Sequence, residues 1–143
     1  MSGDSIRVRG GILEKIEKLA RNDPTRECCG LMAGCDGLIV AIFPATNAAA
    51  NPSTNYEIAP EEIFRAVRAM RSAGYELMGI YHSHPKSQNE PSARDIEQAY
   101  YPDVAYFIVS PQPGALRPVR AFSIREGRVD ELAIQILQGD QIR

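Results

Sequence analysis

Apolar and polar residues alternate along several stretches of the chain with the two-residue period of half-buried strands. The first stretch, Ile6-Arg7-Val8-Arg9, predicts a short strand at the edge of a sheet. Two apolar runs flank Asp36-Gly37, a dipeptide that favours tight turns with positive φ angles, so this region predicts a β-hairpin. In all, the pattern predicts strands at residues 6–9, 28–33, 38–43, 76–81, 104–109, 119–124 and 129–137.

Three other segments show either the 3.6-residue apolar period of a helix or the residues that are typical of a helix N-terminus. The first follows Gly10-Gly11 and places an apolar residue at every third or fourth position. The second begins at Pro60 with two glutamates in its first turn, and the third begins at Pro91-Ser92 and is predicted to extend to residue 100. The elements together predict an α/β fold: a single domain over residues 1–143, with a mixed, largely antiparallel sheet flanked by about three helices.

Composition and charge exclude several classes of protein. The 143 residues carry 16 basic and 18 acidic side chains spread along the chain, with a formal net charge of -2, so neither nucleic-acid nor membrane binding is expected. The N-terminal residues lack the charged start and apolar centre of a signal peptide, and the expected location is the cytoplasm. Three cysteines do not form a disulfide framework and agree with a reducing compartment.

The most informative polar residues follow the strand predicted at residues 76–81. The chain has only two histidines, His82 and His84, and they are two positions apart. Side chains at i and i+2 of a strand point to the same face, so both imidazoles aim at one point. Asp95 lies on the next predicted helix, three residues after Ser92 and therefore on the same helix face. Two imidazoles and one carboxylate form a three-ligand set for a catalytic zinc with an open fourth position.

Each of these features also has a purely structural interpretation. Ser92-Ala93-Arg94-Asp95 has the pattern of a helix capping box, and a serine that caps the helix is still able to present its hydroxyl to a site. A pair of histidines at a strand end is also compatible with a hydrated or hydrogen-bonded edge. Glu27 precedes a predicted strand, where a glutamate is usually a hydrated surface carboxylate.

Adjacent cysteines at positions 28 and 29 raise the alternative of a thiolate nucleophile activated by a histidine. Neighbouring residues of a strand face opposite ways, so at most one of these thiols lines a site. Neither cysteine follows a helix N-terminus or a basic cluster that would lower its pKa. The sequence therefore favours Cys28 and Cys29 as small buried residues.

The spacing of the polar residues resembles the zinc-binding motif of the JAMM (JAB1/MPN/Mov34) metalloproteases. The matching features are the run His82-Ser83-His84-Pro85, the seven residues between His84 and Ser92, and the two between Ser92 and Asp95. Asn47 and the Tyr56-Glu57-Ile58 stretch also resemble the family. The resemblance implies that zinc binds His82, His84 and Asp95, that Glu27 is the general acid/base, and that Ser92 stabilises the oxyanion. It also implies a fold similar to that of cytidine deaminases.

The resemblance further implies a substrate. Related enzymes are isopeptidases that cut the amide after the C-terminal Gly-Gly of ubiquitin-like proteins. This chain is similar in size to the compact prokaryotic members, which act on ubiquitin-fold sulfur carriers or small modifiers. The resemblance thus implies a zinc peptidase that releases an amine, for example cysteine, from the C-terminus of such a carrier.

Three alternatives stay open at the level of sequence. The first is a non-catalytic module of the same fold that binds a ubiquitin-fold partner. The second is a zinc hydrolase of small amides or nucleobases, although deaminases of that class carry H-x-E and P-C-x-x-C signatures that this chain lacks. The third is the cysteine hydrolase considered above. The loop over residues 45–55 is expected to border the active site in the JAMM interpretation.

Overall fold

A computed structural model describes residues 5–138 of the chain. Within that range the chain forms seven strands and three helices, in the order that the sequence predicts. The strands are β1 (Ser5–Arg9), β2 (Cys29–Cys35), β3 (Leu38–Ala45), β4 (Glu76–Ser83), β5 (Ala105–Val109), β6 (Val119–Arg125) and β7 (Arg128–Leu137). The helices are α1 (Ile12–Asn22), α2 (Pro60–Ser72) and α3 (Ala93–Glu97).

The seven strands close into a barrel in the order β1-β3-β2-β4-β5-β6-β7. Four pairings are antiparallel, and three are parallel, so the mixed and largely antiparallel character is confirmed. The prediction of an edge position for β1 is wrong, because β1 pairs with both β3 and β7 and thereby closes the barrel. The alternation of a half-buried strand reveals which face is buried, but not whether the strand has one neighbour or two.

The predicted hairpin joins β2 to β3. Asp36 and Gly37 have φ angles of 54° and 75°, which are the left-handed values that a tight two-residue hairpin turn requires. The pairing starts directly at this turn, where Cys35 lies opposite Leu38. The Asp-Gly dipeptide therefore predicted the two turn residues correctly.

Two apolar clusters pack on the opposite faces of the sheet. One face packs against α1 and includes Tyr81 and Phe107, whereas the other packs against α2 and α3 and includes Ile80 and Ile108. Because side chains alternate along β4, His82 lies on the same face as Ile80. The sheet thus presents His82 to the face that α2 and α3 cover.

The third helix is shorter than predicted. It ends at Glu97 instead of continuing to residue 100, and the Tyr101 backbone N–H donates to the Tyr106 hydroxyl at 3.1 Å instead of continuing a helix. Pro102 follows directly, and the residue before a proline disfavours helical backbone angles. Across residues 5–138, the helices lack the length and apolar character that a bilayer span requires.

Candidate metal centre

Three side-chain atoms converge at the end of β4. Nε2 of His82 lies 3.1 Å from Nε2 of His84, and Oδ2 of Asp95 lies 3.2 Å and 3.0 Å from these two nitrogens. Ligands bound tetrahedrally at about 2.0–2.1 Å from a zinc ion lie about 3.3–3.4 Å apart, so the triangle is close to the size that a metal site needs. Within residues 5–138, no other group of three or more His, Cys, Asp or Glu side chains brings its ligand atoms close enough together to hold a metal ion.

The backbone fixes which nitrogen of His84 faces the cluster. His84 Nδ1 lies 2.7 Å from the carbonyl oxygen of Gln88, and because a carbonyl only accepts, Nδ1 carries the proton. When the ring is neutral, the lone pair of Nε2 is therefore free to bind a metal ion, and when the ring is protonated Nε2 donates to Asp95 Oδ2 at 3.0 Å. A histidine whose outer nitrogen donates to a carbonyl is the usual arrangement of a metal ligand.

Asp95 is positioned by the start of α3. The Ser92 backbone N–H donates to Asp95 Oδ2 at 3.0 Å, and the Asp95 N–H donates to Ser92 Oγ at 3.0 Å. These reciprocal bonds are the capping box that the sequence indicated. The same bonds that begin the helix therefore direct the carboxylate of Asp95 at the histidines.

The charges of the three groups depend on one another. Burial disfavours the charged imidazolium and lowers the pKa of His82. Burial alone would raise the pKa of Asp95, but hydrogen bonds from His82 and His84 outweigh it and hold that pKa well below its usual range. Burial likewise opposes the charged form of His84, yet its bonds to Asp95 and Gln88 raise its pKa. A proton and a metal cation therefore compete for the position between His84 and Asp95.

Glu27 lies beside this cluster because of the pairing between β2 and β4. Cys29 is opposite His82, and Cys28 exchanges hydrogen bonds with Ser83 through both its N–H and its carbonyl oxygen. Continuing this antiparallel register by one residue places Glu27 opposite His84. The side chain is only 5% exposed, so the hydrated surface carboxylate of the structural interpretation is not what the fold contains.

Burial makes the Glu27 carboxyl a weaker acid than an exposed glutamate. It raises the pKa of this carboxyl from 4.5 to about 7, against a smaller opposing effect of His84. Its Oε1 atom is buried and has no hydrogen-bond partner among the described residues. A buried, unpaired carboxylate oxygen next to three candidate ligand atoms fits a site that binds a metal ion and a water molecule.

Tyr56 is a part of the site whose contact the sequence did not predict. Its ring stacks on the imidazole of His82, with centroids 4.3 Å apart and planes inclined by 19°. Tyr56 belongs to the segment between β3 and α2, and that segment also reaches Glu27, whose N–H donates to the Pro52 carbonyl at 2.7 Å. The predicted loop therefore does contact Glu27. The available signal was that Tyr56 is the one aromatic residue in the sequence between β3 and α2.

The cysteines do not have the environment of a nucleophile. Cys29 is buried, and burial raises the pKa of its thiol to about 12. Burial also raises the pKa of Cys28, whose side chain packs against the core cluster around α1. At neutral pH both sulfurs are thiols instead of thiolates, which argues against cysteine catalysis.

Known proteins resemble this chain in both sequence and structure. A desampylase of Haloferax volcanii is 42% identical over 106 residues, covering 73% of this chain and 76% of the relative. A CysO-cysteine peptidase of Mycobacterium tuberculosis is 31% identical over 133 residues, covering 92% of this chain and 90% of the relative. A Desulfitobacterium hafniense protein solved in solution superposes with a TM-score of 0.82 at 30% identity, covering 94% of each chain.

The family itself is shown by a match over most of the barrel. Residues 11–125 match the family described as prokaryotic homologues of the JAB domain. This range begins just before α1 and ends with β6, and it includes Glu27, both histidines, Ser92 and Asp95. The resemblance that the histidine motif indicated is thereby confirmed, and the chain belongs to the prokaryotic branch of the JAB family.

Proposed function

We propose that this protein is a zinc-dependent hydrolase that cleaves the amide after the C-terminal Gly-Gly of a ubiquitin-like or sulfur-carrier protein. The observation that carries the proposal is the convergence of His82, His84 and Asp95 beside the buried carboxyl of Glu27. A structural zinc takes four protein ligands, whereas a catalytic zinc takes three and leaves one position open. Three donor atoms and an adjacent proton carrier are the set that metal-assisted hydrolysis needs.

The donor set favours zinc over harder cations. Imidazole nitrogens suit zinc, whereas magnesium and calcium select oxygen ligands. A zinc ion held there supplies a Lewis acid that lowers the pKa of a bound water from about 16 toward about 7. The Asp95 carboxylate is anionic at neutral pH and offsets part of the positive charge of the ion.

Glu27 then moves the proton. In this mechanism its carboxylate accepts a proton from the attacking water, whose oxygen bonds to the scissile carbonyl carbon. As the C–N bond breaks, Glu27 delivers that proton to the leaving amine nitrogen. A pKa raised to about 7 suits both steps, because the group gains and loses a proton with little free-energy change near neutral pH.

Ser92 completes the set as the donor to the oxyanion. Its Oγ accepts the N–H of Asp95, so the hydroxyl proton remains available to an acceptor outside the helix. Ser92 is exposed at the start of α3 and adjoins the ligand Asp95 through two hydrogen bonds. Removing an oxyanion donor of this kind typically lowers kcat by about a hundredfold or more.

The relatives support the proposed substrate class. One is named a CysO-cysteine peptidase and another a desampylase, and both match most of this chain. Extending their activity to this protein gives an enzyme that releases an amine from the C-terminus of a small carrier or modifier protein. Cysteine is one such leaving group, and a lysine side chain of a modified protein is another.

The direct test uses a ubiquitin-fold sulfur carrier extended by one cysteine after its Gly-Gly, and the same carrier joined to a lysine side chain. Each adduct is incubated with zinc-loaded protein, and the mass of the carrier is followed. We expect the mass to return to that of the free carrier ending in Gly-Gly. An adduct with Ala-Ala in place of Gly-Gly should be cleaved far more slowly, since the Gly-Gly tail is part of the proposal.

Glu27→Gln supplies the matched control because it keeps the shape of the side chain and removes its ability to take a proton. We expect this variant to bind zinc and to lose about 10²- to 10⁴-fold in kcat. Zinc-loaded wild-type protein that cleaves none of these adducts would overturn the proposal. The non-catalytic module that binds a ubiquitin-fold partner would then be the better explanation.

A further inference from the structure

The side-chain amide of Asn47 connects several backbone positions on the Glu27 side of the site, including a long contact of 3.5 Å from its Nδ2 to the Pro52 carbonyl oxygen. Its Nδ2 donates to the carbonyl oxygens of Glu27 and Asn55, each at 2.9 Å. Its Oδ1 accepts the N–H groups of Ala49 at 2.9 Å and Glu57 at 3.1 Å. An amide has two donor hydrogens and two acceptor lone pairs, so Asn47 uses its full capacity.

These bonds hold a segment with no regular structure of its own. Between the end of β3 and the start of α2, the chain forms neither helix nor strand. The backbone adds a bond from the Glu27 N–H to the Pro52 carbonyl, and a bond within the segment from the Ala48 N–H to the Glu57 carbonyl. Asn47 connects Glu27 with the Tyr56 region: it binds the backbone of Glu27 and also the backbone of the two residues on either side of Tyr56.

We propose that Asn47 is a positioning residue, which holds the carboxyl of Glu27 and the ring of Tyr56 against the metal-ligand cluster. It acts through these two residues and does not touch the reacting atoms. The proposal rests on the hydrolase function proposed above, since Glu27 must be placed accurately only if it moves a proton. A displacement of about 1 Å in a reacting group is able to cost about a hundredfold in rate.

Two substitutions separate the roles of the amide. Asn47→Ala removes every hydrogen bond of this amide. Asn47→Asp keeps the shape and the acceptors for Ala49 and Glu57, but it places an anionic oxygen against the carbonyls of Glu27 and Asn55. Asn51→Ala is the matched control: Asn51 is exposed in the same loop, and its Oδ1 accepts a bond from the Ser53 hydroxyl at 3.1 Å.

Three measurements are made on each full-length variant: amide hydrogen exchange, zinc per chain at saturating zinc, and kcat and KM on the carrier–cysteine adduct. We expect both Asn47 variants to exchange faster at Glu27 and over residues 48–57 while still binding one zinc. Their kcat should fall about 10- to 100-fold, while KM changes less than about threefold. Asn51→Ala should match the wild type in all three measurements.

The outcomes distinguish this proposal from the one on which it rests. With an active wild type, a kcat for Asn47→Ala within about threefold of wild type overturns the positioning role. Loss of zinc or of the overall fold in both Asn47 variants also overturns it, because the role would then be generally structural. An inactive wild type refutes the hydrolase function alone. Hydrogen exchange then decides for Asn47: unchanged exchange at Glu27 and at residues 55–57 refutes the role, and faster local exchange with zinc retained supports it.

Discussion

The ring of Tyr56 lies flat against the imidazole of His82, with 4.3 Å between the ring centroids. His82 is fully buried and its Nδ1 has no hydrogen-bond partner among the described residues, so no bond to its outer nitrogen sets the ring orientation. His84 differs, because its Nδ1 is fixed by the carbonyl of Gln88. Stacking on Tyr56 therefore helps to orient the His82 ring, together with the contacts of Nε2 with His84 and Asp95.

Removal of this ring should weaken metal binding. We expect Tyr56→Ala to reduce zinc affinity about tenfold, the lower end of the usual effect of losing a group that orients a metal ligand. Tyr56→Phe keeps the stacked ring and should bind zinc within about threefold of the wild-type affinity. Competition with a chelating zinc indicator measures both values. Equal affinities for the Ala and Phe variants would show that stacking does not orient His82.

Glu27 should make the stability of the metal-free protein depend on pH. Because burial raises its pKa from 4.5 to about 7, the folded state binds this proton more tightly than the unfolded state. The resulting stabilisation is fully present below pH 4.5 and is lost as the pH rises through about 7. Over this window the free energy of unfolding of the wild type should fall, relative to Glu27→Gln, by on the order of 3 kcal/mol.

The comparison with Glu27→Gln cancels the contributions that His84 and Asp95 make independently of Glu27, so the difference reports the titration of Glu27 together with its coupling to His84. Urea unfolding of the two chelator-treated proteins at several pH values gives the difference directly. Two stability curves that run parallel from pH 4.5 to pH 7.5 would mean that the pKa of Glu27 is not raised.

Activity should depend on metal and not on thiols. Cys29 is the cysteine opposite His82, but burial raises its pKa to about 12 and leaves it as an unreactive thiol. We expect iodoacetamide at pH 7.5 to leave kcat within about threefold, and Cys29→Ala to remain active with one zinc bound. A zinc chelator should abolish activity, and added zinc should restore it. Inhibition by the alkylating reagent that Cys29→Ala prevents would support a cysteine mechanism instead.

Local sequence patterns were sufficient to predict that His82, His84 and Asp95 lie close together. The alternation of a strand placed His82 and His84 on one face, and the capping-box spacing placed Asp95 at the start of a helix. Each pattern spans only a few residues, and the structure brings the three side chains together as expected. The hairpin at Asp36-Gly37 was predicted for the same reason, because a two-residue turn depends on its own backbone angles.

Features that depend on contacts between residues far apart in the sequence could not be predicted from local patterns. The closure of the barrel requires Ser5 to pair beside Ala133, and no local pattern reports that contact. The position of Glu27 depends on the register of β2 against β4, so only the family resemblance indicated it. The stacking of Tyr56 depends on the path of an irregular loop that the Asn47 amide holds together.

The central claim is that His82, His84 and Asp95 bind a catalytic zinc, and metal content tests it most directly. Elemental analysis of untagged protein after zinc loading and desalting should give about one zinc per chain. His82→Ala should give close to none while keeping the circular dichroism of the wild type, and Cys29→Ala should keep its zinc. A wild-type protein without zinc after loading, or a His82→Ala variant that retains a full equivalent, would contradict the account.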